Sequence, residues 1–325
     1  MDAADVQFGP TSPEPWSERA LATAILRTLL YADVFGYPMT LEEIHRYLVG
    51  MPATIEQVTA ALASEALRPH LTAEPPYYAL AERELHFLRR RRRSATSGVL
   101  WPVARRYARR IAALPFVSMV AVTGSLAVDN PRARLDDLDY IIVVRPGRTW
   151  LVRLMTIVLV HLARRHHVAL CPNYILDSDH LVMTDRTLYT AHELAQMVPC
   201  YGLEVHDRLL AANTWMRSFL PNAEGANGAH VQILNPIERF FKAVGTALLG
   251  GLVGDVLEHW ARRYQMRHLL GQATDSHTVE ACFSEGVCKG HMQDYGRHIE
   301  RTYAARLRAA GLAKASLALA MGERG

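Results

Sequence analysis

The stretch from Phe116 to Val144 constrains this chain more tightly than any other. Val117-Ser118-Met119-Val120-Ala121-Val122 is apolar and rich in valine, the pattern of a buried strand. It runs into Thr123-Gly124-Ser125. After a gap of eleven residues Asp137-Leu138-Asp139 opens a second apolar run, Tyr140–Val144. Two buried strands so close together predict an α/β core. A glycine at a strand end lets the backbone approach a ligand with no Cβ in the way, and the Ser125 hydroxyl and nearby N–H groups can donate to phosphate oxygens. Asp137 and Asp139, two apart on a strand, point to the same face. Paired carboxylates repel, a cost that makes sense if a divalent cation sits between them, and Mg²⁺ takes carboxylate oxygen, phosphate oxygen and water. The plainer alternative is a loop-to-strand junction whose acids solvate an edge, and Asp136 beside them fits that reading.

Residues 1–16 read as a disordered leader, acidic and proline-containing, without the charged-then-apolar pattern of a signal peptide. Over 17–88 a compact unit is expected. A helix over Ala20–Asp33 ends at Phe35-Gly36-Tyr37-Pro38. Thr40 with Glu43, and Thr54 with Gln57, carry the capping-box signature of two more helices, the third running to about Leu67. Short extended stretches follow on either side of Glu74-Pro75-Pro76. Three short helices and a hairpin predict a winged helix-turn-helix. A linking helical segment, 89–112, carries Arg89-Arg90-Arg91-Arg92-Arg93, with breaks expected at Gly98 and Pro102. The core is expected to end near 187 after a third strand over Val168–Leu176, and 188–325 to be a helical C-terminal region. The fold class is therefore α/β (α+β): a winged helix, a small mixed-sheet core and a helical tail.

Gly124-Ser125, the eleven-residue gap, Asp137-Leu138-Asp139 and the apolar strand resemble the signature of the DNA polymerase β-like nucleotidyltransferase superfamily, over roughly residues 116–180. The resemblance implies that Asp137 and Asp139 bind Mg²⁺ (or Mn²⁺) and that Gly124-Ser125 holds the phosphates of an NTP, with ATP the expected one. It implies that an acceptor hydroxyl attacks the α-phosphate and releases pyrophosphate. The superfamily's third carboxylate comes from a later strand as metal ligand and general base. Here that strand offers Asn173, and Asp177 shares its face. With Asp177 in the role the catalytic set is complete; with Asn173 there, an amide can coordinate metal but cannot take a proton. The alternative is then a degenerate nucleotide sensor, or a winged-helix regulator. Tyr31-Ala32-Asp33-Val34-Phe35-Gly36-Tyr37-Pro38, Cys171-Pro172-Asn173-Tyr174 and Leu188-Tyr189-Thr190-Ala191-His192-Glu193-Leu194 also resemble a family of bacterial proteins that join a winged helix to this domain, which supplies no acceptor.

Arg148, with Arg145 and Arg153, follows the Asp strand and is a candidate phosphate contact, against the reading of solvated loop and helix positions. His192 and Glu193 read either as a pocket pair under the metal site or as a structural polar pair. All but three of the 36 basic residues are arginine. Five successive arginines surround a helix rather than forming one stripe, so a solvated surface competes with clamping of nucleic-acid phosphates. The third helix, with Glu56 and Glu65 and no Arg or Lys, argues against sequence-specific DNA reading. Four cysteines make no disulfide framework. Cys282 and Cys288, near His277 and His291, lack a standard zinc spacing, and His166-His167 and His291 with Asp294 read as surface residues. Leu151–Ala163 contains Arg153 and His161, and Ala243–Gly254 is only twelve residues long, so neither reaches the roughly 20 residues of a span. The expected setting is the cytoplasm, without a membrane partner.

Overall fold

The computed structural model describes residues 17–276, 281–290 and 294–312, so the leader, His277 and His291 lie outside the described residues. The protein is a mixed α/β molecule with two sheets. Helix α1 (Glu18–Val34) is followed by β1 (Met39–Thr40), α2 (Leu41–Arg46), α3 (Ile55–Leu62), β2 (Leu71–Glu74) and β3 (Tyr77–Leu80), the three strands forming an antiparallel sheet in the order β1-β3-β2. Thr40 and Thr54 cap α2 and α3 with complete capping boxes, each satisfying two helix-end groups. Helix α3 stops at Leu62, short of the expected Leu67, because the next residues turn to bring the buried Leu67 inward.

Helix α4 (Glu84–Ala112) is unbroken through Gly98 and Pro102. Both residues lie on its exposed face, where water can satisfy the carbonyl that loses its partner. The opposite face buries Phe87, Leu100, Ala104, Tyr107 and Ile111, and that packing holds the helix in one piece. Strand β4 (Val117–Val122), the one-turn α5 (Gly124–Ala127), β5 (Leu138–Val144), α6 (Thr149–Arg164) and β6 (Leu170–Asp177) build the centre of a six-stranded sheet. The region from 188 onward is not purely helical. Between α7 (Leu188–Gln196) and α8 (Leu203–Ala212) lies β7 (Val198–Tyr201), and after α9 (Pro236–Leu248) and α10 (Leu252–Ser276) come β8 (Cys282–Phe283) and β9 (Val287–Lys289), ahead of α11 (Tyr295–Ala309). The order is β7-β4-β5-β6-β9-β8, with β5 and β6 parallel and the other pairs antiparallel. These added strands are two to four residues long, too short for an alternating pattern to stand out in the sequence.

Alternation along β5 divides its side chains between two layers. Tyr140, Ile142 and Val144 meet Ala104, Tyr107 and Ile111 of α4 and Val152 of α6. Ile141 and Val143 face the other way, into a core shared with α7, α8, α11 and the N-terminal unit. Asp139 lies two residues before Ile141, on the same side, where the sheet meets α1 and α7. The arginine run joins these parts. Arg90 is buried, donates to Val128 O at 2.8 Å and Asp129 O at 2.7 Å, pairs with Glu43 at 2.8 Å and lies over Tyr37. Arg93 donates to Phe35 O and to Asn130, while Arg89, Arg91 and Arg92 remain exposed.

Candidate functional site

A cleft of about 560 Å³ opens between the N-terminal unit and the sheet. Its floor is the end of β4 and the start of β5. Its walls come from Tyr31, Phe35 and Tyr37 on one side and from Tyr189, Glu193 and Tyr295 on the other. Gly124 has φ +64°, a left-handed conformation that favours glycine, and a Cβ there would overlap the Asp139 carboxylate. The glycine at the strand end therefore serves close packing against Asp139. The Thr123 N–H reinforces the junction by donating to Asp139 O at 3.0 Å.

The eleven-residue gap is organised by Asp136. Its Oδ2 accepts from the Arg132 N–H at 2.8 Å and from the Ser125 hydroxyl at 3.2 Å. The acid that looked merely solvating thus sets the loop and anchors Ser125, and the loop carries the exposed Arg132 to the cleft. Asp137 and Asp139 both line the cleft, as do Gly124, Ser125 and Asn173. Asn173 Nδ2 donates to Asp139 Oδ1 at 2.6 Å, while its Oδ1 accepts from the Cys171 thiol at 2.9 Å. Burial pushes that thiol up to about 12, so it stays protonated and able to donate.

Burial, and next the charge of Glu193, push the Asp139 carboxyl up to about 8, against the opposing pull of the Asn173 bond. Burial likewise raises Glu193 to about 7, with Lys289 drawing it back down. With Asp136 and Asp137, Asp139 and Glu193 put four acids around one cavity. Among the described residues no three His, Cys, Asp or Glu side chains converge closely enough to hold a metal by themselves. Two carboxylates beside a roomy cleft match the way Mg²⁺ is bound, through one or two protein oxygens with the remaining positions left to substrate phosphate and water. The chemistry of these oxygen donors is that which a hard divalent cation takes.

Two expected members lie elsewhere. Asp177 is the last residue of β6, paired with Val144, whereas Asp139 pairs with Cys171 at the other end. Six residues of strand separate the two positions, roughly 20 Å at 3.3 Å per residue. Asp177 is buried there and accepts from Asp179 N at 3.0 Å and contacts His180 Nδ1 at 2.6 Å. Sharing a face with Asn173 did not bring it to the site, because the strand carries it away along its own axis. Arg148 precedes α6 and pairs with Asp255 at 2.7 Å, donates to Gly147 O and Gly250 O, and lies over Phe116. It holds the start of α10 and does not line the cleft. Arg153 is likewise committed, to Gln265 at 2.6 Å.

The pair His192-Glu193 divides by role. His192 is buried, stacks on Tyr31 with centroids 4.0 Å apart, and its Nδ1 lies 3.0 Å from Leu188 O. Burial holds it down to about 4, so it is a neutral packing residue. Glu193 lines the cavity opposite the aspartates, from helix α7, well after them in the sequence. Tyr31 and Tyr37 stood in the phrase Tyr31–Pro38 but with no role in the site, and Arg132 was signalled only by lying inside the gap. Compared with models of known protein families, with curated proteins and with solved structures, the chain matches none of them.

Proposed function

We propose that the cleft binds a divalent cation and a nucleoside triphosphate and transfers the nucleoside monophosphate to a hydroxyl acceptor, releasing pyrophosphate. One observation carries the reading: the Asp139 carboxylate is wedged against Gly124 with Asp137 and Glu193 on the same cavity. Asp137 and Asp139 would hold Mg²⁺ or Mn²⁺, which when bound supplies charge compensation at the phosphates. The chain's own part is chiefly positional. Gly124 lets Asp139 sit close against the strand end, the mouth-lining Arg132 offers donors to phosphate oxygens, the Ser125 hydroxyl can do so only by leaving Asp136, and the tyrosines of α1 and α7 offer faces for a base. The acceptor oxygen forms the new bond to the α-phosphorus as the bond to the β-phosphate bridge breaks, and the acceptor's proton passes to a base. Glu193, raised to about 7, is the cleft carboxylate suited to receive it. Consumption of an NTP fits a cytoplasmic setting.

The order α1-β1-α2-α3-β2-β3 and the sheet β1-β3-β2 of the N-terminal unit support the reading of it as a winged helix. In this reading it serves as a wall of the cleft. Three arginines of the run bind protein groups, Arg90 and Arg93 inside and Arg91 with Glu74 at the surface, which weakens the case for a nucleic-acid clamp over Arg89–Arg93.

Calorimetric titration of Mg-ATP beside an assay for pyrophosphate release tests the proposal. Wild type is expected to bind and turn over with an added hydroxyl acceptor. Asp139→Asn should lose about a thousandfold in rate, the scale of a lost charge-stabilising group. A second reading, a nucleotide sensor, is favoured by Asn173 in bond with Asp139, since an amide there takes no proton. Binding without release of pyrophosphate from any NTP selects the sensor, and absence of Mg-NTP binding ends both readings.

A further inference from the structure

The most unusual surface of the molecule is the corner between α9 and α10, far from the chemistry of the cleft. Helix α9 is amphipathic in the reverse sense. Two of its polar side chains face the protein: Lys242 Nζ donates to Ala112 O and Val117 O at 2.7 Å, and Glu238 pairs with Arg109 at 2.8 Å. Ile237, Phe240, Phe241, Val244 and Leu248 face outward, and no residue of the helix is buried. Helix α10 follows at 88° after Gly250-Gly251 and buries Ala261 and Leu269 beside α6, but leaves Leu252, Val253, Val256, Trp260 and Tyr264 exposed. Leu252 is 84% exposed and Leu248 70%. Scattered exposed apolar residues need no explanation, but a contiguous patch of this kind marks an interaction site.

The side chains are layered about the bend. Leucine and valine fill the positions nearest Gly250-Gly251. Phe241 lies nine residues before Gly250 and Trp260 nine after Gly251, and beyond them come the exposed Arg239 on one arm and Arg263 and Arg267 on the other. Among the acids whose side chains are described, Glu238 pairs with Arg109, the half-exposed Asp255 with Arg148, and Glu258 accepts from the N–H groups of Trp150 and Leu151. The outward charge on this face is thus carried by arginine. Apolar tip, aromatic girdle and basic rim are the order in which a lipid interface accepts side chains. Nine residues of helix rise about 14 Å, and arms inclined at about half of the right-angle bend would set the aromatics about 10 Å above the tip, the depth at which interfacial helices sit.

We infer that the α9–α10 corner docks on an anionic membrane surface, inserting Leu248, Leu252, Val253 and Val256 below the headgroups. Among the described residues no single helix is long and apolar enough to cross a bilayer; α9 and α10 reach that length and apolarity only together, as a pair bent by 88°, and docking requires no crossing. The basic rim selects this occupant over a second copy of the chain, since identical arginine-bearing faces would repel.

Flotation of the full chain with vesicles tests the assignment. It is expected to float with phosphatidylcholine–phosphatidylglycerol vesicles in equal parts and to bind phosphatidylcholine alone about tenfold or more weakly, with Trp260 fluorescence shifting to the blue only with the former. Leu252→Asp with Val256→Asp, at solvent-facing positions, should abolish flotation without altering the circular dichroism. Arg263→Gln with Arg267→Gln should keep the fold and lose about fivefold for each charge on anionic vesicles. No binding to either vesicle overturns the proposal. So does a wild-type dimer that Leu252→Asp converts to monomer without any vesicle binding, since the patch would then belong to a second copy. Binding unchanged in the aspartate variant would place the contact elsewhere and overturn it equally.

Discussion

The Asp139 carboxyl is held by burial and by neighbouring Glu193 and Asp137 at about 8, with one short bond from Asn173 working the other way. Its folded value lies above the unfolded one. The metal-free fold therefore keeps a proton that the unfolded chain releases from about pH 4 upward, and stability from this group falls as pH rises through that window to about 8. Asp139→Asn retains size and the bond from Asn173 while removing the charge. In chelator at pH 8 it should be more stable than wild type by about 1–3 kcal/mol in urea unfolding, with the gain vanishing near pH 4. A variant no more stable at pH 8 would show that the carboxyl bears no such cost. His192 works in the opposite sense, since burial depresses it to about 4. Its contribution is complete above the unfolded value near 6.5 and is lost as pH falls toward 4, a change of about 3 kcal/mol. His192→Phe keeps the stack on Tyr31 and should flatten that acid-side decline in thermal melts; an unchanged pH profile would show that the imidazole does not titrate with unfolding.

Helix α4 acts as a strut. It covers the sheet with Ala104, Tyr107 and Ile111, and through Arg90 it ties the N-terminal unit to the loop after α5. Arg90→Met fills similar volume but leaves Glu43 and the Val128 and Asp129 carbonyls without their buried donor. A loss of about 2–4 kcal/mol is expected, read as a lowered melting temperature. Pro102 is tolerated only because its face of α4 is exposed. Pro102→Ala restores one N–H and should raise stability by about 1 kcal/mol, less than the full helix-interior cost of proline because the unfolded chain also gains freedom. A lower melting temperature for that variant would mean that α4 depends on a bend there.

The whole molecule is built so that the cleft exists only when its distant parts meet. The core that includes Ile141 and Val143 continues through α7 and α11 into α1, where Tyr31 packs on His192 and Tyr303. Asp33 reinforces this contact by pairing with Arg83 and Arg306 from two separate helical segments. A chain lacking residues 17–80 should expose this face of the core, aggregate or bind a hydrophobic dye, and lose Mg-nucleotide binding. A soluble truncated monomer that binds as the intact chain does would show that the N-terminal unit is dispensable to the cleft.

Local spacing in the sequence sufficed for the helix caps at Thr40 and Thr54, for the strand over Val117–Val122, and for turning Asp137 and Asp139 toward one cavity, because each depends on neighbours within a few residues. Asp177 looked eligible by that standard and lies at the far end of β6, because alternation tells which face a side chain takes but not how far along the sheet a cleft extends; Arg148, a loop candidate, is taken up by Asp255. Glu193 reached the cavity, and Arg90 was drawn inside, only through packing between segments tens to more than a hundred residues apart. Those outcomes turn on which surfaces bury each other, a property of the assembled layers that no window of sequence contains.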